Sequence, residues 1–334
     1  MSPEPVIHSV YEGKTGTWQY LVADSSSQTA VVIDPVLDYD PATQAISSQT
    51  ADSLLSMIEE KGYKIDRILE THAHADHLTA ASYLQDRLAE RQGHRPPICI
   101  GQRIGEVQRL FGRMYDIPAH EYEDVFDKLF DDDETFAIGD LTATIMHLPG
   151  HTPDHVGYKI GGKNQRDHAP TFAIRLIDLL FSFFSIGNVF CGDSIFHADI
   201  GTARADFPGG SADDLYESGR KLLSLPDDTK IWTGHDYPSG TRGAPVPWLS
   251  VRDHKSNNTL LRDSVNKAEF VALRETRDAR MTEPKLLHQS LQINIRAGRL
   301  PRPTASGHSF LHLPLKLTNI AWRTREAGQR ETLP

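Results

Sequence analysis

Apolar positions along the chain predict a pair of strands first and then an alternation of strands and helices. Residues 17–22 and 29–33 are rich in β-branched and aromatic side chains and flank a turn-like Asp-Ser-Ser-Ser stretch. The same criteria predict further strands over residues 66–70, 97–100, 141–147, 156–160, 188–191 and 230–233.

Helices are predicted where apolar residues recur every three or four positions. Leu54, Leu55 and Ile58 share one face of a helix over residues 51–61. The same spacing predicts helices over residues 78–91, 104–114, 213–225 and 268–280. Paired strands followed by strand–helix alternation, occurring twice, predict a mixed α/β (α+β) fold with two sheets and helices outside them.

The character of the sequence changes near residue 246, where charged helical and proline-containing segments take over. We therefore predict one domain over residues 1–246 and a C-terminal extension over residues 247–334. The tail from about residue 323 is expected to be disordered, as chain ends often are.

Composition narrows the classes of partner. The 35 Lys and Arg residues against 45 Asp and Glu residues give a net charge of −10, which argues against a nucleic-acid partner. Two cysteines fit a reducing compartment. The most apolar stretch, residues 176–191, is too short to span a bilayer comfortably, and the N-terminus lacks a secretory leader. We expect a cytoplasmic protein with no membrane partner.

The 16 histidines are the unusual feature of the composition, and several of them cluster. Directly after the predicted strand 66–70 comes Thr-His-Ala-His-Ala-Asp-His, which contains His72, His74, Asp76 and His77. On a strand His77 would face away from the others, whereas on a turn all four can converge. Imidazoles with a carboxylate suit zinc, iron or manganese.

Further candidate ligands follow the ends of other predicted strands. They are His151, Asp193 and His235, and each directly follows a glycine. Sites in layered α/β folds form where loops from different strands meet, so these side chains are predicted to join the histidine loop. His155, His197 and His254, also near these segments, could line the site but are expected at the surface.

The ordered set of the His-Ala-His-Ala-Asp-His motif, His151, Asp193 and His235 resembles the metallo-β-lactamase superfamily over about residues 6–237. The resemblance implies a four-layer αββα sandwich with the metal site at one edge between the sheets. It also implies that Asp34 supports the histidine loop, residues 71–77, which we call the metal loop.

Two branches of that superfamily share the motif. Glyoxalase-II-type enzymes hydrolyse glutathione thioesters with two zinc ions. By that resemblance one zinc would be bound by His72, His74 and His151, and the other by Asp76, His77 and His235, with Asp193 bridging.

Persulfide dioxygenases instead hold one Fe(II) and oxidise glutathione persulfide with O₂ to sulfite. Their resemblance implies His72, His151 and Asp193 as ligands, a two-histidine, one-carboxylate set. His74, Asp76, His77 and His235 would then orient ligands or contact substrate. Asp76, His77 and Arg204 are the predicted catalytic residues, and Arg204 and Tyr237 are the predicted substrate contacts.

Local features favour the dioxygenase. Asp236 stands where glyoxalase II enzymes usually carry Glu, and residues 201–210 resemble the dioxygenase segment. By that resemblance Arg204 would contact an anionic substrate and Asp206 would hold the loop, although an Arg204–Asp206 ion pair explains both residues equally well. Residues 257–271 and 292–301 resemble the C-terminal extension of bacterial-type dioxygenases.

The favoured prediction is therefore a glutathione persulfide dioxygenase with one iron per chain, and the alternative is a dinuclear zinc thioester hydrolase. A non-catalytic metal or sulfide sensor is a third hypothesis, and a homodimer is left open. Residues 162–187 match nothing in the family. We interpret them as an unspliced intron in a eukaryotic gene model or as a genuine insertion.

Overall fold

The computed structural model describes residues 4–163, 187–238, 240 and 242–315. The segment 162–187, for which an intron was hypothesised, lies outside the described residues except at its ends. The tail from about residue 323 also lies outside them.

The strands of the described residues form two large sheets and one small one. The strands are β1 (Val6–Glu12), β2 (Thr17–Ala23), β3 (Thr29–Ile33), β4 (Val36–Asp40), β5 (Ala45–Ser47), β6 (Lys64–Leu69), β7 (Leu78–Thr79), β8 (Ile98–Gly101), β9 (Lys128–Phe130), β10 (Thr135–Ile138), β11 (Leu141–His147), β12 (Val156–Lys163), β13 (Asn188–Phe190), β14 (Lys230–Trp232) and β15 (Trp248–Ser250). The first sheet has the order β1-β2-β3-β6-β8-β9 and the second the order β10-β11-β12-β13-β14-β15, while β5-β4-β7 form the small sheet.

Helices cover the outer faces of both large sheets. They are α1 (Gln49–Lys61), α2 (Ala81–Gln92), α3 (Ile104–Met114), α4 (Ala212–Leu223), α5 (Val251–Asn257), α6 (Lys267–Asp278) and α7 (Leu287–Asn294). The apolar faces of α1 to α3 pack on the first sheet, and those of α4 and α6 pack on the second. Along these described helices, none is long and apolar enough to cross a bilayer.

Three apolar layers separate the four layers of structure. In β2 and β3, Val22, Val31 and Ile33 point into the layer between the two sheets, whereas Leu21 and Val32 point towards the helices. Both faces of these strands are apolar because both are covered, as in other sheets sandwiched between layers. The predicted four-layer αββα fold is confirmed.

Most predicted elements lie close to the observed ones. The helix over 104–114 and the strand over 141–147 have the predicted bounds. The predicted helix over 78–91 is wrong at its start, because Leu78 and Thr79 pair with β4 and the helix begins at Ala81. Short strands such as β9 and β15 were not predicted, since three residues carry little periodicity.

Segments after residue 246 share apolar cores with the preceding chain. Phe270 of α6 is fully buried in the cluster that α4 forms with the second sheet, and its ring lies 5.4 Å from that of Tyr216. Leu291 and Ile293 of α7 are buried in the cluster of α1 to α3. The C-terminal helices thus pack on both halves of the sandwich.

Phe270→Ala should lower the free energy of unfolding by about 3–5 kcal/mol, the usual cost of a cavity where a buried aromatic ring stood. Leu273→Ala on the same helix is the matched control, because Leu273 is 44% exposed and its loss should cost less than about 1 kcal/mol. Urea denaturation measures both. Equal losses for the two variants would contradict the packing of α6 described above.

Candidate metal centre

Five loops that follow strand ends meet at one edge of the sandwich. They follow β3, β6, β11, β13 and β14, and they carry the predicted site residues Asp34, His72–His77, His151, Asp193 and His235. The strands β3 and β6 are parallel, as are β13 and β14, so their carboxyl ends lie side by side. This arrangement explains how ligands far apart in sequence converge.

His72, His151 and Asp193 form one candidate ligand group. One ligand atom from each lies within 4.8 Å of the others, and all three side chains are buried. The Nε2 atom of His151 is 3.6 Å from Asp193 Oδ2, and that of His72 is 4.0 Å from the same oxygen. These are separations that one cation between the three groups would bridge.

The outer nitrogen of each of these histidines is already bonded. The Nδ1 atom of His151 lies 2.7 Å from the Arg204 carbonyl, which can only accept, so Nδ1 carries the proton. The Thr71 hydroxyl donates to Asp34 Oδ2 at 2.8 Å, so its oxygen accepts from His72 Nδ1 at 2.9 Å. Both Nε2 lone pairs therefore face the centre, as metal ligands require.

A second group lies on the other side of Asp193. The Nε2 atom of His235 is 3.1 Å from Asp76 Oδ2 and 3.5 Å from Asp193 Oδ1, and Asp76 Oδ2 is 3.2 Å from His77 Nδ1. The two oxygens of Asp193 thus face different groups. A carboxylate so placed can serve one cation or bridge two.

His74 turns its Nε2 atom away from both groups. That nitrogen lies 3.1 Å from Asp34 Oδ1 and 3.3 Å from Glu70 Oε2, and all three side chains are buried. Burial alone would lower the pKa of His74, but the two carboxylates raise it well above its usual value. Asp34 also accepts a hydrogen bond from the Thr71 hydroxyl, so this carboxylate contacts two residues of the metal loop.

The donor set fits a divalent transition metal. Among the described residues, the buried atoms at this point that have no hydrogen-bond partner include His72 Nε2, His77 Nε2 and Asp193 Oδ1. Burial, aided by neighbouring imidazoles, holds the pKa of His72 well below its usual value, so the ring is neutral. Neutral imidazoles and a carboxylate with unused lone pairs suit zinc, iron or manganese.

His155 is a buried part of the centre, and His254 is buried as well, so the surface positions expected for these two residues are wrong. The Nε2 atom of His155 accepts a hydrogen bond of 2.9 Å from the Asp193 amide, and its ring stacks on His72 with centroids 4.7 Å apart. Burial lowers the pKa of His155 far enough to keep this acceptor neutral. Its position four residues after His151 was the available signal.

The structure pairs Arg204 with Asp206. The guanidinium donates to both Asp206 oxygens and, at 2.7 Å, to the Thr282 carbonyl. Arg204 also lines the cavity over the metal centre, so the ion pair and a substrate contact are geometrically compatible.

Tyr237 stacks on His235 with centroids 5.7 Å apart and lines the same cavity. Asp236 instead points to Arg242, in a bidentate pair.

The cavity has a volume of about 730 Å³, and His151, Asp193, Asp76 and His235 reach it from below. Cationic side chains line it as well, namely Lys14, Arg204, Arg274, Arg277 and Lys285. A chamber of this size with a buried metal centre and cations along its wall suits a small anionic molecule.

Comparisons with known proteins identify the family. A family model described as the metallo-beta-lactamase superfamily matches residues 13–164. A probable metallo-hydrolase of Burkholderia pseudomallei is 38% identical over 312 residues, which cover 92% of this chain and 98% of that protein. The chain belongs to the metallo-beta-lactamase superfamily. The predicted family is therefore confirmed, and superfamily relatives include metal-dependent hydrolases and dioxygenases.

The chain is also similar to other known proteins and to a solved structure. Glyoxylase B2 of Dictyostelium discoideum is 36% identical over 318 residues, 94% of this chain and 98% of that protein. The human mitochondrial persulfide dioxygenase ETHE1 is 26% identical over 301 residues, 90% of this chain and 91% of that protein. The crystal structure of ETHE1 from Myxococcus xanthus has a TM-score of 0.64 at 23% identity, covering 88% of this chain and 100% of that one. That likeness supports the fold.

Gly234→Ala should weaken metal binding about 10- to 100-fold, the usual effect of displacing a group that supports a ligand. A Cβ at residue 234 would clash with Asp193 Oδ1 and lie 2.9 Å from the Gly192 carbonyl carbon. Titration of metal-free protein with Zn(II) measures the affinity. Gly13→Ala, whose Cβ would meet only Tyr11 at 3.9 Å, is the control and should bind like the parent protein. Unchanged affinity in Gly234→Ala would refute the close packing under Asp193.

Proposed function

We propose that this protein is an Fe(II)-dependent persulfide dioxygenase that acts on glutathione persulfide. The observation that carries the proposal is the grouping of His72, His151 and Asp193 without His74. Two imidazoles and one carboxylate are the ligand set of non-haem Fe(II) oxygenases. The Nε2 atom of His74 contacts Asp34 and Glu70 and not this group.

Ferrous iron held by these three residues would supply the redox chemistry by which O₂ and water convert the outer persulfide sulfur to sulfite and release glutathione. The protein's own residues orient the reactants. Neutral His72 and His151 leave only Asp193 to offset the divalent charge, so the centre attracts an anionic persulfide.

The cavity wall supports glutathione as the carrier of that sulfur. Glutathione bears two carboxylates, and Arg277 and Lys285 line the outer cavity with exposed side chains. The guanidinium of Arg204, fixed by Asp206, lines the same cavity. A planar guanidinium matches a carboxylate well. The name of one relative, persulfide dioxygenase, agrees with this substrate class.

A dinuclear zinc thioester hydrolase is the second candidate, and one observation favours it. Asp193 faces His72 and His151 with Oδ2 and His235 with Oδ1, as a bridging carboxylate would. Asp76 and His77 could complete a second metal site there. The relative named a probable metallo-hydrolase agrees with this alternative. A bridging hydroxide is the nucleophile that such a site supplies.

His235→Ala separates the two functions. In an iron dioxygenase the variant should keep about one iron per chain, because His235 is outside the ligand set. In a dinuclear hydrolase it should lose one of two zinc ions. Metal analysis of anaerobically purified protein measures the content, and oxygen uptake with glutathione persulfide measures the activity. His308→Ala, an exposed histidine, controls for the loss of an imidazole.

The parent protein must consume oxygen when iron-loaded and given glutathione persulfide, and His151→Ala must abolish that uptake. Turnover of a glutathione thioester without oxygen uptake would overturn the dioxygenase and establish the hydrolase.

Substitution of both Arg277 and Lys285 by Ala should raise the KM for glutathione persulfide about tenfold and change kcat little, because the substitutions remove binding that is uniform through the reaction. Steady-state oxygen uptake gives both constants. Arg280→Ala is the matched control, since Arg280 is exposed in the same segment but does not line the cavity. An unchanged KM would show that the carboxylates of the substrate bind elsewhere.

A further inference from the structure

One amide of the C-terminal helix α7 reaches the backbone of the metal loop. Asn294 is 3% exposed. Its Nδ2 atom donates to the carbonyls of His74 and His77, each at 2.8 Å, and its Oδ1 atom accepts from the Thr79 amide at 2.9 Å. Both amide hydrogens and the carbonyl oxygen of the side chain are therefore used on one loop.

The helix that presents this amide is itself held firmly. Arg296 pairs with Glu121 at 2.7 Å and donates to the Gln292 carbonyl, while Gln108 donates to the Ile295 carbonyl at 3.0 Å. Gly298 then approaches so closely that a Cβ there would lie 3.1 Å from the Thr79 carbonyl oxygen. These contacts fix the position of Asn294 independently of its hydrogen bonds to the metal loop.

The loop transmits this constraint to the ligands through imidazole rings that pack against one another. The ring of His74 lies 4.1 Å from that of His72 and 4.2 Å from that of His77, measured between centroids. A shift of the His74 and His77 backbone would move the His74 ring against His72. It would also move Asp76, which lies between the two carbonyls that Asn294 holds.

We propose that Asn294 is a positioning residue of the metal centre, which sets the backbone of residues 74–79 and thereby the donor atoms of His72, Asp76 and His77. The inference rests on the metal centre of the proposed function but not on the reaction performed there. A side-chain amide suits this position because its NH₂ group can donate to two carbonyls while its carbonyl oxygen accepts from a third group.

The test is Co(II) binding to metal-free protein, followed by titration and by the visible spectrum of the bound ion. Asn294→Asp keeps the shape of the side chain but sets carboxylate oxygens against two carbonyls. We expect its Kd for Co(II) to rise about 10- to 100-fold, the usual effect of losing a group that orients ligands, with shifted absorption bands. Asn294→Ala, which adds no charge, should show the same direction of change.

Gln292→Glu is the matched control. It makes the same amide-to-carboxylate change on the same helix, but the Gln292 amide donates to the carbonyls of His288 and His312, away from the metal loop. It should match Asn294→Asp in thermal stability and match the parent protein in Co(II) affinity and spectrum. A loss of affinity confined to the Asn294 variants supports the inference.

The inference is overturned if the Asn294 variants bind Co(II) as the parent protein does, if Gln292→Glu weakens binding equally, or if the parent protein binds no Co(II). If Asn294→Asp fails to fold, the Co(II) affinity and the visible spectrum of Asn294→Ala decide instead. A parent protein that binds Co(II) but takes up no oxygen with iron and persulfide would remove the proposed function alone. The Co(II) affinities of the Asn294 variants would still test the positioning role of Asn294.

Discussion

The buried carboxylate of Asp193 is the group on which the arrangement of the centre depends. A charge removed from water is costly unless it is paired, and this one lies among imidazoles at the junction of two ligand groups. Its position is set from three sides. His155 accepts from its amide, Gly234 leaves room beside Oδ1, and Oδ2 faces His72 and His151. A divalent cation would satisfy the lone pairs that these contacts leave unused.

The C-terminal extension holds the centre from outside. Arg274 of α6, almost fully buried, pairs with Asp278 and donates to the carbonyls of Thr202 and Ala203. Asp278 also accepts from the Ala205 amide at 2.9 Å. The intervening Arg204 carbonyl orients His151, so a charged pair outside the metal centre helps select the tautomer of a candidate ligand. Removing either partner of this pair would leave an unpaired buried charge, which is strongly destabilising.

The same extension shapes the chamber in which a substrate would lie. Arg274, Arg277 and Lys285 belong to it, whereas the candidate metal ligands all precede residue 236. The metal-binding chemistry and much of the cationic wall thus come from different parts of the chain. This division suits a superfamily in which one metal-binding edge serves several reactions, because the covering segments can change while the strand-end loops stay in place.

Features that depend on local pattern could be predicted from the amino-acid sequence. Helical spacing located α3, alternation located β11, and the dense cluster of His72, His74, Asp76 and His77 marked the metal loop, because these signals lie within a few residues of one another. Several contacts around the centre became apparent from the folded structure. His74 turns towards Glu70, His155 enters the core, and Asn294 reaches the metal loop across 217 residues to His77. No periodicity encodes such contacts, since they arise when separate strand ends and helices pack together and each buried polar atom must find a partner.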